Sequence, residues 1–172
     1  GLIQELLLKM FAKGEKRSTL SMELYHIFLT NTHLSAEKTQ SDPILEASFD
    51  RINEKYFFGR IDPVNLVWGE YSTRTLGRYE YGSDTIRISK IFENAPLVFI
   101  DRVMHHEMLH KKHKFSTKNG RSMHHTPAFR KDEKLFENFE QVEKDLQSFV
   151  RSFKLSSKTT KRKSFFENLF DL

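Results

Sequence analysis

Leu97-Val98-Phe99-Ile100-Asp101-Arg102-Val103-Met104-His105-His106-Glu107-Met108-Leu109-His110 is the stretch on which the reading of this chain turns. Its apolar residues Leu97, Ile100, Val103, Met104 and Met108 recur at three- and four-residue intervals, which predicts an amphipathic helix opened by Asn94-Ala95-Pro96. Within it His106 and His110 stand four residues apart, about 400° of helix rotation, so both imidazoles lie on one face and can grip one Zn²⁺ at about 2.1 Å. Glu107 sits beside that face, where a carboxylate can take a proton from a zinc-activated water without ligating the ion. The order His-Glu-x-x-His therefore supplies two ligands and a base from one helical turn.

A catalytic zinc generally takes three protein ligands and keeps one position open. The candidates for the third are His113, His124, His125 and Glu133. His113 shares the face but lies a further turn along the axis. Glu133 would bring a carboxylate from the next helix, and His124 or His125 would come from a separate segment. No cysteine is present, which removes thiolate ligands, a zinc ribbon, a Cys nucleophile and a disulfide framework.

Outward from this helix the pattern changes. Upstream, Asn65 to Tyr71, Thr75 to Tyr81 and Thr85 to Lys90 are short runs rich in β-branched and aromatic residues, the last two separated by Gly82-Ser83-Asp84. They predict a small three-stranded sheet with at least one hairpin. The alternation of Ile86 and Ile88 with Arg87 and Ser89 fits a half-buried strand, and this third run is also a candidate open edge for an extended peptide. Further upstream, Ser41-Asp42-Pro43 is a helix-start signal, followed by the stripe Ile44, Leu45, Phe49, Ile52, Tyr56 and Phe57 and a stop at Gly59. Downstream, Phe115 to Met123 reads as a mobile Ser-, Gly- and Lys-rich loop. Thr126-Pro127 then opens a final helical region whose Phe129, Leu135, Phe136, Phe139, Val142, Leu146, Phe149 and Val150 form one apolar face.

These elements, in 172 residues, predict one α+β domain over residues 42–153. A helical N-terminal extension is expected at 1–41, with helices over 2–12 and 20–29 and a polar linker at 31–41. A basic, flexible tail is expected at 154–172, since Ser157 to Lys163 has no acidic residue and little to bury. No run approaches the roughly 20 apolar residues of a membrane span. The opening residues show no basic n-region, so an intracellular protein, cytoplasmic or in the nucleoid or nucleus, is expected.

His125-Thr126-Pro127-Ala128-Phe129, coming after the His-Glu-x-x-His helix, resembles the third-ligand segment of the SprT-like metalloprotease family. Tyr56-Phe57-Phe58-Gly59-Arg60-Ile61 resembles that family's helix end and turn. Thr75 to Tyr81 followed by Thr85 to Ser89 resembles its hairpin. The resemblance covers roughly residues 43–150. It implies a zincin-like protease core, with the sheet packed against the metal-binding helix, His106, His110 and His125 as zinc ligands and Glu107 as general base. Thr126 stands where the family has Gly, and the C-terminal zinc-ribbon cysteines of some members are absent. A metzincin would need Gly and His at three and six residues past His110, where this chain has His113 and Ser116.

The expected activity is zinc-dependent hydrolysis of peptide bonds in a protein or peptide, with DNA-associated proteins as the substrate class that the family suggests. The alternative is a zinc-stabilised nucleic-acid-binding module without protease activity. A net charge of +5 and a pI near 9.3 favour an acidic partner such as DNA. Lys111-Lys112-His113-Lys114, with Lys118 and Arg121, is the cluster that would guide it. Tyr79, Tyr81, Arg78 and His124 are side chains able to donate to a developing oxyanion. His105 is expected on the helix surface or behind the metal ligands.

Overall fold

The computed structural model of the protein describes residues 38–114, 116–118, 121–123 and 125–170, and for residues 116–118, 121–123 and 155–170 it describes the backbone alone. The helices expected at 2–12 and 20–29 lie outside the described residues. The architecture is α+β, with four α-helices and a three-stranded mixed sheet among the described residues.

Helix α1 spans Pro43–Phe57 and starts as its sequence requires. The Asp42 carboxylate accepts from the N–H groups of Ile44 (3.0 Å) and Leu45 (3.3 Å), and Pro43 fills the first turn, where its missing donor is not needed. The chain leaves the helix through two left-handed residues, Phe58 (φ 56°) and Gly59 (φ 66°). Asn53 then clamps the turn, accepting from Ile61 N–H and donating to its carbonyl.

Strands β1 (Asn65–Trp68), β2 (Gly77–Glu80) and β3 (Thr85–Ile88) are each shorter than the predicted runs. The reason is the loop between β1 and β2, which is drawn onto Ser89. That hydroxyl accepts from Ser72 N–H at 2.9 Å and donates to the Ser72 carbonyl at 2.8 Å. The strand order is β1-β3-β2, with β3 parallel to β1 and antiparallel to β2. The expectation that β3 offers an open edge is therefore corrected: it is the central strand, and Thr85, Ile86 and Ile88 are all buried. The hairpin places β2 on one side of β3 and leaves only the other side for β1. Gln40 to Asp42 bridges to the outer edge of β1 at Leu66, so the remaining outer edge belongs to β2.

Helix α2, Leu97–His113, runs one turn further than predicted. Its buried Ile100, Met104 and Met108 join Leu45, Phe49 and Ile52 of α1 and Leu66, Ile86 and Ile88 of the sheet in one core. The α1–α2 contact is fixed at its rim by Asp101, which accepts from Ser48 Oγ (2.6 Å) and pairs with Arg51.

Beyond α2 two expectations change. Residues read as a mobile loop contain an antiparallel hairpin, β4 (Ser116–Lys118) with β5 (Arg121–Met123). The intervening sequence, Asn119-Gly120, is the dipeptide favoured in two-residue hairpins. The final helical region is two helices, α3 (Pro127–Glu133) and α4 (Phe139–Phe170). They are separated by Asn138 at φ 52°, and the break leaves Leu135 exposed instead of on the common apolar face. The Val142, Leu146, Phe149 and Val150 face does pack inward, with Phe149 5.8 Å from Phe92 and 5.3 Å from Phe99. The backbone of α4 continues through Phe170, into the segment expected as a flexible tail, and the sequence after Phe139 contains no Pro or Gly to stop it. Among the described residues no helix is long and apolar enough to cross a membrane.

Candidate metal centre

The four-residue spacing in α2 puts His106 and His110 together, with Nε2 atoms 3.2 Å apart. His125 arrives from the segment before α3, its Nε2 3.4 Å from that of His106. One nitrogen from each of the three lies within 4.8 Å of the others, close enough to hold a single metal ion. All three rings rest on Phe129, at centroid distances of 4.8–5.2 Å, and Phe129 is fully buried. Thr126 explains how the third histidine is delivered without the glycine of the family pattern. Its backbone is extended (φ −69°), and its hydroxyl caps α3 by accepting from Phe129 N–H at 3.2 Å.

The other third-ligand candidates stand elsewhere. Glu133 faces the far side of His106, its Oε1 2.7 Å from Nδ1, the ring nitrogen opposite the cluster, and 2.9 Å from Arg102 Nη2. Burial alone would raise its pKa, but the bonds from His106 and Arg102 outweigh that and bring it down to about 2. Since an ionised carboxylate only accepts, the hydrogen must sit on His106 Nδ1, which in the neutral imidazole leaves the lone pair on Nε2, toward the other two rings. His113 is turned to Asp132 (2.9 Å). His124 lies outside the described residues.

Glu107 is 4% exposed, on the turn between the two histidines and under β2. Burial lifts its carboxyl to about 7, against the opposing pull of His106 and of the Tyr79 backbone N–H. A carboxyl poised there suits a general base. The approach of β2 is permitted by Gly77: a Cβ at that position would lie 2.6 Å from Glu107 Oε1 and 2.7 Å from Val103 Cγ1. Gly77, Leu76, Arg74, His106, Glu107 and Glu133 are among the residues lining a cleft of about 330 Å³ beside the cluster.

Several other expectations are revised by what these side chains touch. Tyr79 does not point at the histidines; its hydroxyl donates to Asp84 at 2.6 Å, and burial followed by that bond pushes its pKa up. Tyr81 donates to the His110 carbonyl at 3.2 Å, so it braces the helix. Arg78 is exposed. His105 is neither on the surface nor behind the ligands. It is buried among Tyr56, Phe57 and Phe136, and burial, reinforced by Arg102, lowers its pKa to about 3, so it is a neutral core residue. Two lysines of the basic cluster are engaged in ion pairs, one buried and one at the surface. Lys111 is buried and bonds both oxygens of Asp84 (3.0 and 2.7 Å), while Lys112 pairs with Asp132.

Asp84, which also receives Lys38 and has φ 44°, is not marked as a buried charge by the sequence. In the sequence it is the end of the Gly82-Ser83-Asp84 turn, and its one signal is an Asp in a position that tolerates left-handed backbone. Arg102 is likewise unmarked by the sequence, although it lies one turn before His106 on the same helix face.

Compared with known protein families, residues 45–160, well over half of the chain, match the model of the SprT-like family. No curated protein matches the chain.

Proposed function

Because the chain belongs to the SprT-like family, we propose that it is a zinc-dependent endopeptidase built on a zincin-like core, with His106, His110 and His125 as the zinc ligands and Glu107 as the general base. The observation that carries this reading is the meeting of three imidazole nitrogens beside a buried carboxylate from the same helical turn. The donor set suits zinc, which favours neutral imidazole ligands, and the Glu133 contact leaves His106 in the tautomer a ligand needs. When bound, zinc acidifies a water and polarises a carbonyl.

The chain's own residues supply the rest. Glu107 takes the proton of the attacking water on a carboxylate oxygen and returns it to the departing amine nitrogen. The site is backed by Val103 and Phe129, which are buried and keep water from that side. β2 is the strand edge nearest Glu107, so an extended peptide that adds to the sheet does so there. We assign DNA-associated proteins as the substrate class on family grounds, and an intracellular location, cytoplasmic or with the nucleoid or nucleus, follows from that assignment.

The test is cleavage of an unfolded protein by the wild type and by Glu107→Gln, each with and without DNA, together with zinc analysis of the wild type and His125→Ala. Zinc-dependent cleavage that disappears in Glu107→Gln is expected. Cleavage that persists in Glu107→Gln overturns the assigned base, and full zinc retention in His125→Ala overturns the ligand set. Zinc and DNA binding with no cleavage by the wild type would instead favour a nucleic-acid-binding module.

A further inference from the structure

Arg102, His106 and His110 follow one another at four-residue spacing, so α2 presents one charged residue directly above the two histidines on one face. Glu133, the last residue of α3, enters between Arg102 and His106 and touches both through the same oxygen, at 2.9 and 2.7 Å. The Arg102 side chain is only 6% exposed and is held from three directions. Phe139 lies 4.9 Å from its Cζ, Phe136 lies 6.0 Å away, and Glu143 of α4 meets the same Nη2 at 3.2 Å. Its Nε has no hydrogen-bond partner among the described residues. Burying an arginine with an unmet donor is costly and needs a compensating role.

We propose that Glu133 and Arg102 are positioning residues of the metal centre: Glu133 locks His106 with its Nε2 toward the ion, and Arg102 holds Glu133 in place for that contact. This rests on the metal-centre reading above and adds to it a chain from α4 to the ion, through Glu143, Arg102, Glu133 and His106. Neither Arg102 nor Glu133 touches a reacting atom. Their effect passes through the orientation and basicity of one imidazole, so it is read in metal affinity before it is read in turnover. The geometry also separates Glu133 from the ligands. Its carboxylate is on Nδ1, and a side chain cannot occupy that nitrogen's hydrogen and the ion on the opposite side of the ring with the same oxygen.

The experiment is zinc affinity by competition with a chromophoric chelator, on the full chain, with apo-protein thermal unfolding measured in parallel. Glu133→Ala is expected to weaken zinc roughly 10- to 100-fold. Glu133→Gln, whose carbonyl still accepts from Nδ1–H, should recover most of that loss. Arg102→Met should weaken zinc in the wild-type background and add little in Glu133→Ala, because the two act through one contact. In ¹⁵N-labelled zinc protein, the His106 imidazole should show a protonated Nδ1 whose resonance moves in Glu133→Ala. If Arg102→Met does not fold, Arg102→Lys, which keeps the charge but loses the planar fork, carries the same comparison.

Variants that melt lower but bind zinc as the wild type does would reduce the pair to a structural ion pair and overturn the proposal. A Glu133→Ala loss as large as that of His125→Ala would make Glu133 a ligand and overturn it too. A wild-type chain that takes no zinc removes the metal-centre reading itself, a result distinct from wild-type binding with unaffected variants.

Discussion

Gly77→Ala is the smallest change that tests whether Glu107 is the working carboxylate. The added methyl would sit 2.6 Å from Glu107 Oε1, 2.9 Å from its Cγ and 2.7 Å from Val103 Cγ1, where ordinary contacts begin at 3.4 Å. Relief requires a displacement of roughly 0.8 Å between β2 and the carboxylate. Glu107 and Val103 are 4% and 6% exposed, so neither has open space to retreat into. Gly77 does not have a positive φ, so the penalty is one of contact and not of backbone conformation. A misplacement near 1 Å at a catalytic group costs on the order of 10²-fold in rate, and overpacking of this kind costs about 1–3 kcal/mol of stability. The expected result is a fall of about 100-fold in kcat/KM for an unfolded protein substrate, with stoichiometric zinc retained because no ligand is moved. Gly82→Ala is the control, since a Cβ there meets nothing within 4 Å, and it should leave both quantities unchanged. Wild-type turnover in folded, zinc-loaded Gly77→Ala would refute the placement of Glu107 in the reaction.

Asp84→Asn leaves Lys111 buried without its counter-charge and should cost about 3 kcal/mol, roughly 10 °C in Tm by calorimetry. Burial alone would raise the Asp84 pKa, but the bonds from Lys111, Lys38 and Tyr79 prevail and hold it below the ordinary value. A depressed folded-state pKa stabilises above about pH 4 and is lost as pH falls through the folded value, so the Tm gap to the variant should narrow in acid; a gap that widens there contradicts the assignment. Phe129→Ala removes the floor beneath three imidazoles and should lose about 3–5 kcal/mol in urea unfolding while weakening zinc; unchanged zinc affinity would show that the rings are held without it. Ser89→Ala should cost about 1–3 kcal/mol by releasing the loop before β2, read as a lower urea midpoint at unchanged m.

What the sequence made legible about the site is what depends on local geometry. The four-residue interval of His106 and His110 and the flanking Glu107 need only that the segment be helical, and a helix there follows from Leu97, Ile100, Val103, Met104 and Met108. The capping of α1 by Asp42 and the hairpin of β2 with β3 are equally local. The position of β3 in the sheet is not, because it depends on where β1, twenty residues earlier in the chain, finds its partner. The same holds for Gly77, whose importance appears only when Glu107, thirty residues later, is brought under it.

The charged residues show the limit most clearly. The run Lys111-Lys112-His113-Lys114 invites assignment to a polyanion, and nothing in the sequence sets Lys111 or Arg102 apart from surface cations. Both are buried, because each meets a carboxylate from a different part of the chain, Asp84 at a separation of 27 residues and Glu133 at 31. A cation enters a core only when its partner is already specified there, so a count of basic residues overstates the positive charge left on the surface. It understates, by the same amount, the charge committed to holding α2 in register with the sheet and with α3. Since α2 carries His106, Glu107 and His110, those inward charges bear on the metal centre more directly than the exposed ones do.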